Sequence, residues 1–251
     1  MKQIKNLNQA VILAGGLGVR LRPLTLNQPK PMVSVAGKPF LEHSIEELRE
    51  NKIKEIILLV GYLPEKIVNY FGDGCRFGLK IKYSIGDIAD ETGTRVWRAA
   101  PLLADHFLLM YCDNFWPLNL ISMVDFYNQK RTLLSTVIYG NKDGRGEYGC
   151  ENNVFVDAEN YVRLYDRTRK DPRLNGVDIG FFIADKSILK LKPEKENFSF
   201  EQEILPRLIE QNNLVGYPTH HQYYTITNSD FLLKTEVFLK NRKLTSKKFQ
   251  A

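Results

Sequence analysis

The run Ala10-Val-Ile-Leu-Ala-Gly-Gly-Leu-Gly18 constrains this chain more than any other feature. Ala10–Leu13 has the length and apolar character of a short buried strand. Gly15, Gly16 and Gly18 then form a loop with little side-chain bulk. A glycine loop leaving a buried strand lets backbone N–H groups approach a phosphate closely. Arg20, Arg22 and Lys30 follow within reach, so the loop has cations to neutralise a polyphosphate.

Periodicity extends this start into a fold. Leu41, Ile45 and Leu48 share one face of a helix predicted over Leu41–Asn51, and Ile56–Val60 reads as a strand. Glu65–Phe71 reads as a short helix and Leu79–Tyr83 as a half-buried strand. Val96–Leu103 and Ser122–Lys130 are predicted helices, with strands at Phe107–Tyr111 and Leu133–Tyr139. Such alternation gives an α/β fold, a Rossmann-like, mostly parallel sheet flanked by helices. The second half changes character. Val154–Val156 and Tyr161–Tyr165 form a predicted hairpin, Val177–Ala184 a strand, and Phe200–Gln211 a helix whose Pro206 must lie near its first turns. Asp230–Leu239 supplies a closing helix. The expectation is one domain over residues 1–242 with a small hairpin-bearing half, then a basic tail over 243–251.

Charge and cysteine usage narrow the function classes. Of the formal net charge of +6, five units sit on Lys240, Arg242, Lys243, Lys247 and Lys248, so the body is nearly neutral. It carries no basic stripe interleaved with aromatics, which argues against a nucleic-acid partner. Cys75, Cys112 and Cys150 lack metal-site spacing and read as reduced thiols of a cytoplasmic protein. The N-terminal residues lack a signal-peptide pattern, and no stretch is apolar enough to predict a membrane span.

Ligands of open parallel sheets bind beyond the carboxyl ends of the strands. Two segments meet that rule: the glycine loop after Leu13, and Cys112-Asp113-Asn114 after Phe107–Tyr111. A carboxylate at a strand end facing a phosphate loop is placed to hold Mg²⁺, although Asp113 also suits a cap of the next helix.

The string Leu13 to Gly18, Arg20-Leu21, Pro23-Leu24-Thr25, Pro29 to Met32 and Gly37-Lys38-Pro39 resembles the signature of the sugar-1-phosphate nucleotidyltransferases. It departs from the P-loop, which needs a second Gly followed by Lys-Ser or Lys-Thr, and from the dinucleotide fingerprint, whose third Gly would fall at Leu21. The resemblance implies a GT-A-like nucleotidyltransferase fold, a nucleoside triphosphate and a sugar 1-phosphate as partners, Mg²⁺ as cofactor, and possible homo-oligomers. It implies catalytic roles for Arg20, Lys30 and Asp113, with Asp113 the metal ligand. Leu13, Ala14, Gly15, Gly16, Gly18, Thr92 and Gly93 would bind the nucleotide, with Glu91-Thr-Gly-Thr94 standing for the family's Gly-rich loop. Asn114, Glu147, Gly149, Arg167, Lys170, Asp178 and Gly180 would bind the sugar phosphate. Here Glu147 replaces an Arg, and Asp166-Arg-Thr-Arg-Lys-Asp-Pro172 replaces Glu-Lys-Pro, so Arg167, Arg169 or Lys170 could grip the phosphate.

One departure touches the metal. Tyr224-Thr-Ile-Thr-Asn228 places Thr225 where the family has a second metal-binding Asp, so binding is looser or Asp178 or Asp230 contributes. Gly72-Asp-Gly74, Phe77-Gly78 and Tyr111-Cys-Asp-Asn-Phe-Trp-Pro117 are most similar to heptose-1-phosphate guanylyltransferases. That similarity implies D-glycero-D-manno-heptose 1-phosphate with GTP, giving GDP-heptose for surface polysaccharide. Uridylyl- or thymidylyltransfer to another hexose 1-phosphate, and a non-catalytic nucleotide-sugar-binding regulator, are the alternatives.

Overall fold

The computed structural model of the chain describes residues 3–141 and 151–248, the last six by backbone alone. Its strands are β1 (Gln9–Ala14), β2 (Ser34–Val35), β3 (Lys38–Pro39), β4 (Glu55–Val60), β5 (Lys80–Ile85), β6 (His106–Tyr111), β7 (Asn114–Phe115) and β8 (Leu134–Tyr139). The second half adds β9 (Val154–Val156), β10 (Val162–Tyr165), β11 (Val177–Asp185), β12 (Leu214–Thr219) and β13 (Tyr224–Thr225). The helices are α1 (Phe40–Glu50), α2 (Pro64–Phe71), α3 (Thr92–Arg98), α4 (Leu120–Lys130), α5 (Leu205–Glu210) and α6 (Ser229–Lys248).

Seven strands form one sheet in the order β12-β8-β11-β6-β1-β4-β5. Pairing is parallel except along β11, which runs against both β6 and β8. The chain leaves β1 for β4 and β5 on one side, then returns to β6 on the other. The strand order therefore reverses between β1 and β6, and a crevice opens beyond their carboxyl ends. Because β11 is reversed, its first residues arrive at that same edge.

Alternate residues of the central strands feed two cores. Ala10, Ile12, Ile56, Leu58, Leu108 and Met110 face α1, α2 and α4, where Leu41, Ile45, Leu48, Ile67, Phe71 and Met123 meet them. Val11, Leu13, Ile57, Leu59, Phe107 and Leu109 face α3 and α5. Residues of both parities are buried because helices cover both faces. A third, smaller core joins Leu21, Val33, Val35, Phe40, Phe115, Ile226, Leu232 and Leu239. It packs the segment after β1 against α6 and so fixes where that segment lies.

Strands β2, β3, β7, β12 and β13 have no counterpart in the sequence expectation, and some helix bounds differ from it. The helix expected from Val96 begins at Thr92 instead, placing Glu91-Thr-Gly-Thr94 at its N-terminus. The helix expected over Phe200–Gln211 is one continuous helical run that begins as a π turn at Phe200–Ile204 and continues as α5, with Pro206 just past the change of pitch. The closing helix continues to Lys248, into the segment expected as a tail. No described helix is long and apolar enough to cross a membrane.

Candidate active site

A cleft of about 810 Å³ opens beyond the carboxyl ends of β1 and β6. Leu13, Gly15, Gly16, Gly18, Arg20 and Lys30 line one part; Asp113 and Asn114 lie across from them. Gly18 has φ 62° and ends the loop against a 3-10 turn at Val19–Leu21. A Cβ at Gly18 would stand 2.9 Å from the Lys30 Cβ, so the absence of a side chain there lets Lys30 pack beneath the loop. The Thr25 hydroxyl donates to the Gly18 carbonyl at 2.8 Å and closes the turn.

Lys30 is 8% exposed and its Nζ lies 2.6 Å from Asp113 Oδ2. Burial pushes the Asp113 carboxyl up, but the Lys30 ammonium, its hydrogen bond and the Arg20 charge outweigh that and hold it below the usual carboxylate range. Asp113 is therefore an anion, paired with a cation, at the end of β6. Arg20 is exposed at the mouth with its guanidinium charge toward this pair.

The other part of the cleft is polar and belongs to the second half of the chain. Asp178 Oδ1 accepts from the Thr136 hydroxyl at 2.7 Å and the Gly180 N–H at 2.9 Å. Burial nonetheless pushes its pKa up to about 6. Gly180 has φ 77°, and a Cβ there would meet the Tyr111 ring at 2.5 Å. Asn114 Nδ2 donates to the Ile179 carbonyl at 2.9 Å, tying the start of β7 to β11. The Asp166 carboxylate gathers the N–H groups of Thr168, Lys170 and Asp171 into a turn. That turn brings Arg167 and Arg169 to the cleft wall, while Lys170 is exposed outside it.

Several expected positions fall differently. Gly93 does not line this cleft: a Cβ there would meet the Phe198 ring at 2.5 Å, so its small size serves packing of α3. Ala14 is wholly buried behind the loop, whereas Thr92 does reach the cleft. Glu147 and Gly149 lie outside the described residues. Asp230 is exposed in the first turn of α6 and does not line the cleft. Trp116 is buried in the core beside Phe181.

Two residues that sequence reasoning missed stand out. Arg95 is 6% exposed beneath the glycine loop. Glu201 accepts from the hydroxyls of Thr92 (2.7 Å), Ser199 (2.6 Å) and Tyr111, joining α3, β6 and the π turn. Burial raises the Glu201 pKa against the lowering effect of Thr92. The signal for both was a charged residue on the inward face of a helical segment, which has no resting place in a core unless the fold supplies partners.

The donor set bears on magnesium. Thr225 pairs through β13 with Asn114, next to Asp113, and is 3% exposed. Its hydroxyl donates to the Asp113 carbonyl at 3.1 Å and bonds Thr227 at 2.7 Å, so it is committed to the protein. Among the described residues, no three His, Cys, Asp or Glu side chains group as metal ligands. Mg²⁺ commonly takes one or two carboxylates and fills its octahedron with phosphates and water. One carboxylate facing a glycine loop fits an ion that arrives with a polyphosphate.

A doubly wound α/β protein with a glycine loop at its switch point and a polar pocket beside it has its cleft where ligands of this class of fold bind. The sequence places it more narrowly: residues 9–225 match the Nucleotidyl transferase family, and the chain belongs to it. It is 30% identical over 211 residues to the mannose-1-phosphate guanylyltransferase of Mycobacterium tuberculosis, covering 83% of this chain and 58% of that protein. It is 33% identical over 196 residues to the D-glycero-alpha-D-manno-heptose 1-phosphate guanylyltransferase of Campylobacter jejuni, covering 77% and 83%. The chain spans about half the length of several of the curated relatives it matches. HddC from Yersinia pseudotuberculosis superposes with a TM-score of 0.79 at 23% identity, over 93% of this chain and 100% of that one, and so shares the fold.

Proposed function

We propose that this protein joins a nucleoside triphosphate to a sugar 1-phosphate, giving a nucleoside-diphosphate sugar and pyrophosphate. The observation that carries the reading is one cleft with two chemically distinct parts. A glycine loop with Arg20 and the Lys30–Asp113 pair faces a pocket of hydroxyl-ordered carboxylates and arginines. The first suits a triphosphate, the second a polyol phosphate.

The chemistry asks little of a general base. The second pKa of a phosphate monoester is about 6, so the sugar phosphate is already largely a dianion near neutrality. One of its oxygens attacks the α-phosphorus, and the bond from that phosphorus to the oxygen bridging to the β-phosphate breaks, releasing pyrophosphate. The obstacle is repulsion between polyanions, which positioning and fixed positive charge overcome. In this reading the N–H groups of Gly15–Gly18 and the Arg20 guanidinium hold the β- and γ-phosphates. Lys30 faces the charge that grows at the α-phosphate, and Arg167 and Arg169 hold the sugar phosphate. Asp113 would hold magnesium, which when bound supplies further charge neutralisation.

For the substrate pair, D-glycero-D-manno-heptose 1-phosphate with GTP is favoured. Support comes from the Tyr111–Pro117 segment and from the 33% identity to the Campylobacter relative. The test is pyrophosphate release with heptose, mannose, glucose and N-acetylmuramic acid 1-phosphates against each nucleoside triphosphate, with and without Mg²⁺. Turnover with heptose 1-phosphate and GTP above all other pairs is the expected result. Preference for another pair would replace the substrate assignment. Nucleotide binding without turnover across the panel would overturn the enzymatic reading in favour of a regulator.

A further inference from the structure

Arg95 is a buried charge that this mechanism does not use. It stands on α3, yet its guanidinium reaches four backbone carbonyls on three other segments. Nη1 donates to the Val60 carbonyl at the end of β4 (3.2 Å). Nη2 donates to those of Gly15 in the glycine loop (3.3 Å), and of Asp87 (2.8 Å) and Ile88 (3.3 Å) after β5. The space it fills exists because side chains are missing. A Cβ at Gly15 or at Gly61 would overlap the guanidinium. Two glycines from two loops thus form a socket for one arginine.

We infer that Arg95 is a positioning residue: its guanidinium locks the glycine loop in the shape that receives the triphosphate. The inference rests on the nucleotidyl-transfer reading for the identity of the ligand. The Gly15 carbonyl accepts from Arg95 and from the Tyr62 N–H at 3.2 Å, which fixes the plane of the peptide between Gly15 and Gly16. In a trans peptide the N–H points opposite to the C=O, so the Gly16 N–H is turned away from Arg95, and Gly16 lines the cleft. Burial lowers the Arg95 pKa while the Asp90 and Asp87 charges oppose that, and a guanidinium stays protonated. A lysine would keep the charge but has three donors on a point ammonium and cannot serve four carbonyls set around a planar fork.

The experiment pairs Arg95→Ala and Arg95→Lys with equilibrium binding of GTP, UTP and dTTP, and with separate KM values for nucleotide and sugar 1-phosphate. Removing the shared partner of several buried carbonyls should weaken nucleotide binding and raise the nucleotide KM by about tenfold or more. The sugar 1-phosphate KM should stay within about twofold, since its pocket lies on other elements. Low-millimolar guanidinium should restore most of the loss in Arg95→Ala by refilling the socket. If Arg95→Ala fails to fold, Arg95→Lys carries the test, with a loss of about fivefold or more expected. A folded variant that binds nucleotide as the wild type does would overturn the role. So would an equal loss for both substrates without guanidinium rescue. A wild type that binds no nucleoside triphosphate would instead overturn the functional reading on which the inference depends.

Discussion

Lys30 and Asp113 meet across 83 positions of sequence, and the site's electrostatics follow from that meeting. Removing Lys30 takes away the cation beside the reacting phosphate and leaves a carboxylate at the strand end without its partner. In folded Lys30→Ala or Arg20→Ala, turnover should fall by about 10²–10³, the usual loss for one group aimed at transition-state charge. Steady-state pyrophosphate release alongside a circular dichroism spectrum checks this, and retained turnover contradicts the phosphate clamp. Asp178 predicts a pH effect of its own. Its folded-state pKa is raised to about 6, so the folded state favours its protonated form. The stability this contributes is complete below the ordinary Asp range and is lost as pH rises through about 6. Thermal unfolding of Asp178→Asn should therefore lose less stability between pH 4 and 7.5 than the wild type does, to an extent set by how far the pKa is raised. Identical pH profiles would show that Asp178 is not the group responsible.

At the scale of elements, two glycines separate what a sequence motif says from what packing says. Gly18 sits at φ 62° against Lys30, and Gly93 sits on α3 against Phe198. Gly18→Ala should raise the nucleotide KM because it displaces Lys30 as well as straining the turn. Gly93→Ala should lower stability by about 1–3 kcal/mol through overpacking while leaving the nucleotide KM near wild type. Unfolding curves and kinetics on the two variants distinguish these outcomes. The same contrast explains how much of the fold was legible. Long apolar runs such as Ile56–Val60 and Phe107–Tyr111 announce their strands because burial on both faces leaves no other reading. The start of α3 was hidden, since Thr92, Gly93 and Thr94 are poor helix formers. The Thr94 hydroxyl and the Thr92–Glu201 hydrogen bond hold that turn against a segment about a hundred residues later. β12 was missed because Gly216 and Pro218 interrupt it, which an outermost strand of the sheet tolerates.

For the whole molecule, the sheet does the assembling. Reversal of strand order between β1 and β6, together with the antiparallel β11, brings residues 13–30, 111–114 and 178–180 to one edge. The loop and Asp113 could be read in advance because they follow β1 and β6 closely, and Lys30 because it stands in the Pro29-Lys-Pro-Met32 string. Arg95 and Glu201 showed only as charges on inward helical faces, because several of their partners, such as the Gly15 carbonyl and the Thr92 hydroxyl, lie 80 and 109 positions away. A ligand that bridges the cleft should stabilise the molecule as a unit, by about 2.7 kcal/mol at a hundred times its Kd. A GTP titration followed by thermal shift, with and without Mg²⁺, reads that gain. With one carboxylate beside the loop, Mg²⁺ alone should give little shift and Mg²⁺ with GTP much more. The central claim is that the cleft joins its two ligands. The most direct test follows GTP and D-glycero-D-manno-heptose 1-phosphate by phosphorus NMR in the presence of enzyme and Mg²⁺. The account predicts that the sugar monophosphate signal disappears while a sugar–nucleoside diphosphate and pyrophosphate rise in equal amounts. Unchanged substrates, or GTP cleaved to GDP and inorganic phosphate, would contradict it.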